Sequence, residues 1–237
     1  MSMPTEDKVT RKLRAILSAD VKGYSLLMTD DEAFNVKTLK EYRAVMSDLI
    51  GQHSGRVVDD PGDNLLAEFA SVVDAVRCAV EIQKVLKENN EKLPTEKRLE
   101  FRIGVNIGDV IQDQDRIYGE GVNIAARIEG LAEPGGICIS RNAYNHVRNK
   151  LNFGYEYLGE HDVKNIKVPV RVYKLLMAPE DAGKLIGDVP KSEAKNWKWA
   201  AVVVALIIIA SIVWLISKEK PAKAEIPSIA VLPFVNM

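Results

Sequence analysis

The chain has 237 residues and a mass of 26.3 kDa, with 32 basic and 33 acidic side chains and a net charge of -1. That length allows one full domain with appendages or two small ones, and 27% charged beside 47% hydrophobic residues excludes wholesale disorder. The even charge balance leaves no electrostatic footprint for nucleic acid. Cys78 and Cys138 cannot build a disulfide framework and read as buried reduced thiols. His53, His146 and His161 have no HxxxH or CxxC company, which argues against zinc.

Residues 11–177 carry regular periodic patterns. LRAILSADV is a short β run that ends near Asp20, just before Gly23 and a helix. In TDDEAFNVKTLKEYRAVMSDLIGQHSG, Thr29 and Glu32 have capping-box spacing and Gly55 stands where a helix C-cap falls. GRVVDDPGDNLLAEFAS gives two β runs joined by Pro61-Gly62, a hairpin with turn chemistry at its tip. Val72, Val76, Ala79, Val80, Ile82 and Val85 recur at helical spacing. Leu99, Phe101, Ile103 and Val105 then alternate as a strand, GVNIAARIEGLAEPGG forms a short helix stopped by Pro134-Gly135, and ICIS is a strand. NAYNHVRNKL is a helix, and YEYLGEHDV and VRVYKLLM return to strand. The order β-α-β-β-α-β plus extra elements predicts an α+β fold: a ferredoxin-like split β-α-β sheet with helices packed on one face.

Residues 178–198 read as a polar linker. Residues 199–216, WAAVVVALIIIASIVWLI, hold eighteen positions without a charge. As a helix they would span about 27 Å, close to a hydrocarbon core, with Trp197, Trp199 and Trp214 at interfacial depth. A single-pass transmembrane helix is expected. The N-terminus lacks an apolar leader segment, so the first 190 residues are expected on the cytoplasmic side of the inner membrane. KEKPAKAEIP is a second linker, and SIAVLPFVNM, within 217–237, reads as the start of a truncated further domain.

Two acidic residues stand out by position. Asp20 ends the first strand and Asp63 lies at the hairpin tip, and in a split β-α-β sheet these two places are neighbours. Paired carboxylates in open surroundings suit Mg²⁺ or Mn²⁺ carrying a polyphosphate, and turn or cap roles remain open for both. Asn123 and Arg127, spaced i, i+4, share a helix face on which an amide could orient a sugar and a guanidinium could stabilise charge on phosphorus.

Taken in order, AILSADVKGYS, GDNLLAEF and IYGEGVNIAARIE resemble the class III nucleotidyl cyclase domain over about residues 12–176. FRIGVNIGDV and VKNIKVPVRVYKL match that family in place and order. The arrangement also resembles a bacterial membrane-anchored subgroup in which a cyclase domain precedes a membrane helix. The resemblance implies two metal ions on Asp20, Asp63 and the backbone carbonyl of Val21, with the ribose 3′-hydroxyl attacking the α-phosphorus in line and pyrophosphate leaving. It implies that Asn123 orients the ribose, Arg127 stabilises the transition state and Lys164 contacts phosphate. It also implies a head-to-tail homodimer, with metal residues from one copy and the Asn/Arg pair from the other.

The base-reading positions depart from the family. Asp59 stands where adenylyl members usually carry Lys, and Arg116 where they usually carry Asp. A sign-reversed pair could read adenine, with Asp accepting from the exocyclic amine and Arg donating to a ring nitrogen. It could equally read guanine, or belong to a regulatory dimerisation module that has lost catalysis. No GxxxxGK[ST] or GxGxxG occurs, which disfavours P-loop and Rossmann nucleotide enzymes.

Overall fold

The computed structural model describes residues 10–163, 166, 168–187 and 205–214. The chain divides into two compact units, Met1–Val189 and Pro190–Met237.

In the first unit, β1 (Thr10–Val21) is followed by α1 (Tyr24–Asp30), α2 (Glu32–Gln52), and the hairpin β2 (Gly55–Asp59) and β3 (Leu65–Phe69). Then come α3 (Val72–Asn90), β4 (Phe101–Asp113), β5 (Arg116–Tyr118), α4 (Glu120–Glu129), β6 (Ile137–Ser140), α5 (Arg141–Val147), β7 (Gly154–His161), β8 (Val170–Leu176) and β9 (Leu185–Ile186). The strands form one mixed sheet in the order β2-β3-β1-β4-β6-β8-β7-β9, with β5 paired to β4. Its first four strands are the split β-α-β core: β1 lies between β3 and β4 and is antiparallel to both.

The helices do not share one face. Ala15, Leu17, Ala19 and Val21 of β1 and Phe101, Ile103 and Val105 of β4 meet α2, α3 and α5 in the main core. Each fully buried aliphatic or aromatic side chain there contributes roughly 1.5–3 kcal/mol. The alternate residues face the other way: Ile16 and Val110 pack with Ala125 of α4, and Cys138 and Val172 pack with Ile128. So α4 alone among the five described α-helices of the first unit covers the second face, and the expected one-sided packing is corrected. Strands covered on both sides lose clean period-two alternation, and ILSA in β1 is buried at every position.

The close seat of α4 depends on Gly104. A Cβ there would fall 2.3 Å from the Ala125 carbonyl oxygen and 2.5 Å from the Glu129 nitrogen. Gly104→Ala should therefore cost about 3 kcal/mol in urea unfolding. Gly108→Ala, whose nearest clash is 3.2 Å, should cost clearly less.

Two caps differ from expectation. The N-cap of α2 is Asp31, whose side chain accepts from the Phe34 N–H, while Thr29 bonds back to Leu26 in α1. The C-terminal exit of α2 runs through His53 and Ser54 (φ 59), and Gly55 already opens β2. The Pro61-Gly62 turn is as expected, with Gly62 at φ 60. Both cysteines are buried and free, and burial pushes each thiol up to about 12. From 178 onward the segment read as a linker carries a short turn and β9, which pairs parallel with β7.

In the second unit, residues 205–214 are helical, with Ser211 donating to the Ile207 carbonyl at 2.8 Å. Among the described residues no helix is long and apolar enough to cross a membrane. The remainder of 199–216, and all of 217–237, lie outside the described residues.

Candidate active site

Strand alternation sets the first carboxylate. Asp20 shares its parity with Ile16 and Ser18, so it lies on the α4 face at the end of β1, half-buried. Its strand partner on β4 is Arg102, which grips it through two of its three nitrogens: Nε to Oδ1 at 3.0 Å and Nη2 to Oδ2 at 2.5 Å.

The second carboxylate comes from the hairpin. Ala19 pairs with Leu65, and the antiparallel register, carried on, brings the Asp63 turn alongside Asp20 and Val21. Arg43 of α2 clamps this turn, donating through Nη2 to the Asp60 carbonyl and, at 2.7 Å, to the Asn64 carbonyl. Asp63 itself has no hydrogen-bond or ion-pair partner among the described residues. Its field nonetheless reaches Tyr24, whose hydroxyl is raised first by burial and then by Asp63. The Arg102 guanidinium is held above its ordinary value by its hydrogen bond to Asp20, with the charges of Asp20, Glu129 and Asp63 adding to it. One cation thus senses both aspartates.

Behind them lies Glu129, 4% exposed. It accepts from Ser18 Oγ at 2.8 Å and from Asn64 Nδ2 at 3.5 Å, and it stands 3.8 Å from Arg102 Nη2. Burial pushes its carboxyl up to about 8; Ser18 opposes the rise and neighbouring Asp20 adds to it. Arg43, Arg102 and Glu129 escaped the sequence reading. The available signals were parity with Asp20 for Arg102 and, for Glu129, a charged residue next to Ile128 on the inward face of α4.

The inward positions of α4 are Gly121, Ala125, Ile128 and Glu129, which leaves Asn123 and Arg127 exposed on its outer side. They point away from the sheet that carries Asp20. Asp59 and Arg116 end β2 and begin β5. Arg116 is held above its ordinary value by a hydrogen bond to Tyr118 and, second, by the charge of Asp59. The two are electrostatic neighbours, but among the described residues they form no ion pair within 4 Å. Lys164 lies outside the described residues.

No cluster of three or more His, Cys, Asp or Glu fit to hold a metal exists among the described residues. The donors that the resemblance implies are fewer and hard: two carboxylates and the Val21 carbonyl. A carboxylate has about four lone-pair positions, so Asp20 can keep Arg102 and still offer oxygen to a cation. These residues fit Mg²⁺ or Mn²⁺. A cavity of about 610 Å³, lined by Lys84, Asn90, Arg98 and Pro134 among others, includes neither aspartate.

Residues 5–177 match the family described as the adenylate and guanylate cyclase catalytic domain. The chain belongs to this class III cyclase family. A cyclase relative from Rhizobium meliloti (strain 1021), named "Putative adenylate cyclase 3", is 36% identical over 233 residues. That alignment takes in 98% of this chain and 35% of the relative, so the chain spans about a third of that protein's length. The crystal structure of an adenylate/guanylate cyclase/hydrolase from Silicibacter pomeroyi superposes with a TM-score of 0.68 at 38% identity, covering 72% of this chain and all of that one. The adenylyl cyclase CyaB from P. aeruginosa superposes at 0.65 with 25% identity, over 74% of this chain and all of that one. In this cyclase domain the matched span holds every candidate site residue, Lys164 included.

Proposed function

We propose that the protein converts ATP to cyclic AMP and pyrophosphate at sites shared between two copies of the chain. The observation that carries this reading is the division of the site. The charges of Asp20 and Asp63 both act on Arg102 at one end of the sheet, while Asn123 and Arg127 stand exposed on the outward side of α4. A head-to-tail pair with C₂ symmetry would bring the Asn/Arg pair of each copy to the aspartates of the other, forming two equivalent sites.

Asp20, Asp63 and the Val21 carbonyl would hold two divalent cations, Mg²⁺ or Mn²⁺, which supply Lewis acidity toward the ribose 3′-hydroxyl and the polyphosphate. Arg102 keeps Asp20 fixed, and Arg43 keeps the Asp63 turn fixed, so both carboxylates are oriented before nucleotide arrives. Asn123 orients the ribose by hydrogen bonding. Arg127 places a permanent positive charge where charge develops on the α-phosphoryl oxygens, and Lys164 adds another toward the phosphates. Asp59 and Arg116 read the base.

The same reading places the domain on the cytoplasmic side of a membrane, where nucleoside triphosphate is available, with 199–216 as its anchor. Support for the anchor is the run of eighteen uncharged residues with tryptophans near both ends.

The test is an assay of the full 237-residue chain in detergent, given ATP or GTP with Mn²⁺ or Mg²⁺. Cyclic AMP is the expected product, abolished by chelation. Cyclic GMP in its place would assign guanine to the Asp59/Arg116 pair. Nucleotide binding without product would favour a regulatory module, the reading for which the reversed charges at those two positions speak.

A further inference from the structure

Glu129 has no part in the reaction above, yet it is a buried carboxyl group, a placement that costs stability unless its polar atoms find partners. Its partners come from three separate elements. Ser18 lies on β1 two residues before Asp20, Asn64 follows Asp63 in the hairpin turn, and Arg102 of β4 holds Asp20. Arg102 also donates to the Gly130 carbonyl, the residue after Glu129, at 3.1 Å. Glu129 itself ends α4, two residues beyond Arg127.

We propose that Glu129 is a positioning residue that fastens α4 to the two aspartates of its own chain, and so links the two active sites of the dimer. The inference rests on the shared-site reading. In that arrangement a chain's aspartates serve one site and its Asn123 and Arg127 serve the other; Glu129 shares a helix with the second pair and bonds Ser18, Asn64 and Arg102 beside the first. A shift of α4 when Arg127 engages phosphate passes through Glu129 to Arg102, and from there to Asp20. Packing alone does not call for a carboxylate here, because Ala125 and Ile128 already seat the helix.

Glu129→Gln keeps the volume and the one oxygen that accepts from both Ser18 and Asn64, but turns an amide donor toward Arg102 at the other position, which loosens Arg102 from Asp20. Heterodimers with a single working site separate its two effects. When one full-length chain carries Asp20→Asn and the other Arg127→Ala, the surviving site takes its aspartates from the second and its Arg127 from the first. Glu129→Gln added to the aspartate-giving chain should raise the Mn²⁺ half-saturation about 10- to 100-fold. Added to the Arg127-giving chain, it should lower kcat and leave Mn²⁺ half-saturation unchanged.

Electron paramagnetic resonance of Mn²⁺ bound to the Glu129→Gln homodimer gives a readout that needs no turnover and should show the same weakening. Equal losses from either placement, or no loss, overturn the link, because a folding defect lowers active dimer without splitting the two parameters. Should Glu129→Gln fail to fold, Ser18→Ala removes one donor to Glu129 and should give the same split at smaller size. If the parent heterodimer makes no cyclic nucleotide, the cyclase reading falls. The Mn²⁺ measurement then decides: weaker binding in Glu129→Gln upholds the aspartate half of the link, and unchanged binding overturns it.

Discussion

An equal mixture of Asp20→Asn and Arg127→Ala chains should make cyclic nucleotide at about one quarter of the unaltered rate, although each variant alone is nearly silent. Alone, loss of the Arg127 charge should lower kcat about 100- to 1,000-fold, the scale of removing a preorganised group that meets transition-state charge. Asp20→Asn removes a proposed metal ligand and also takes from Arg102, only 15% exposed at its side chain, the nearer of its two ion-pair partners. In the mixed dimer the two lesions fall on one site. The other site takes Asp20 from the Arg127→Ala chain and Arg127 from the Asp20→Asn chain, and both are intact. Random pairing makes about half the dimers mixed, and each mixed dimer keeps one site of two, hence about a quarter. The chains should be co-expressed with different tags and the product measured by chromatography. No recovery, from variants that fold and dimerise, would place each site within one chain. Recovery also answers the objection that Asp20→Asn merely unfolds the protein, since an unfolded chain cannot lend its α4.

Much of this arrangement was legible in local pattern. The Pro61-Gly62 turn, the alternation of Leu99 to Val105 and the stripe from Val72 to Val85 each report an element through its own period or turn chemistry, and all three stand in the fold. The pairing of the hairpin strand β3 with β1 followed because the split β-α-β order sets the hairpin beside the first strand. What local pattern hides is anything decided by a distant surface. Whether α4 joins the other helices or crosses to the bare face depends on Gly104 and Gly108 being small on one side of β4, and a glycine inside a strand pattern has several meanings. The Arg102–Asp20 pair and the Glu129 network join residues far apart in sequence and leave no periodic trace. The cap of α2 was misplaced for a subtler reason. In TDDE three residues compete as caps, and the short α1 claims Thr29 before Asp31 starts the longer helix.

Exchanging the charges at the base-reading positions should be the sharpest test of substrate choice. Arg116 is exposed and held by Tyr118 first and by the charge of Asp59 second, so the two read as a charge-complementary couple without an ion pair within 4 Å among the described residues. Asp59→Lys alone sets two cations in each other's field, and Arg116→Asp alone sets two anions. Each single variant should lose about tenfold in kcat/KM for ATP. The double variant restores opposite charges in the reversed order. With the base turned over in its pocket, the Lys donor meets the adenine ring nitrogen and the Asp acceptor the exocyclic amine, so ATP use should return to within a few-fold of the unaltered chain. Guanine inverts the demand, because its N1 and N2 groups donate and its O6 accepts. Steady-state kinetics with ATP and GTP on all four proteins therefore tests pairing and base preference together. A double variant no better than the worse single would mean that Asp59 and Arg116 act independently. Tyr118→Phe is the needed control: removing the hydroxyl that acts most strongly on Arg116 should shift the ATP-to-GTP ratio if Arg116 touches the base, and leave it fixed if Arg116 only steadies β5.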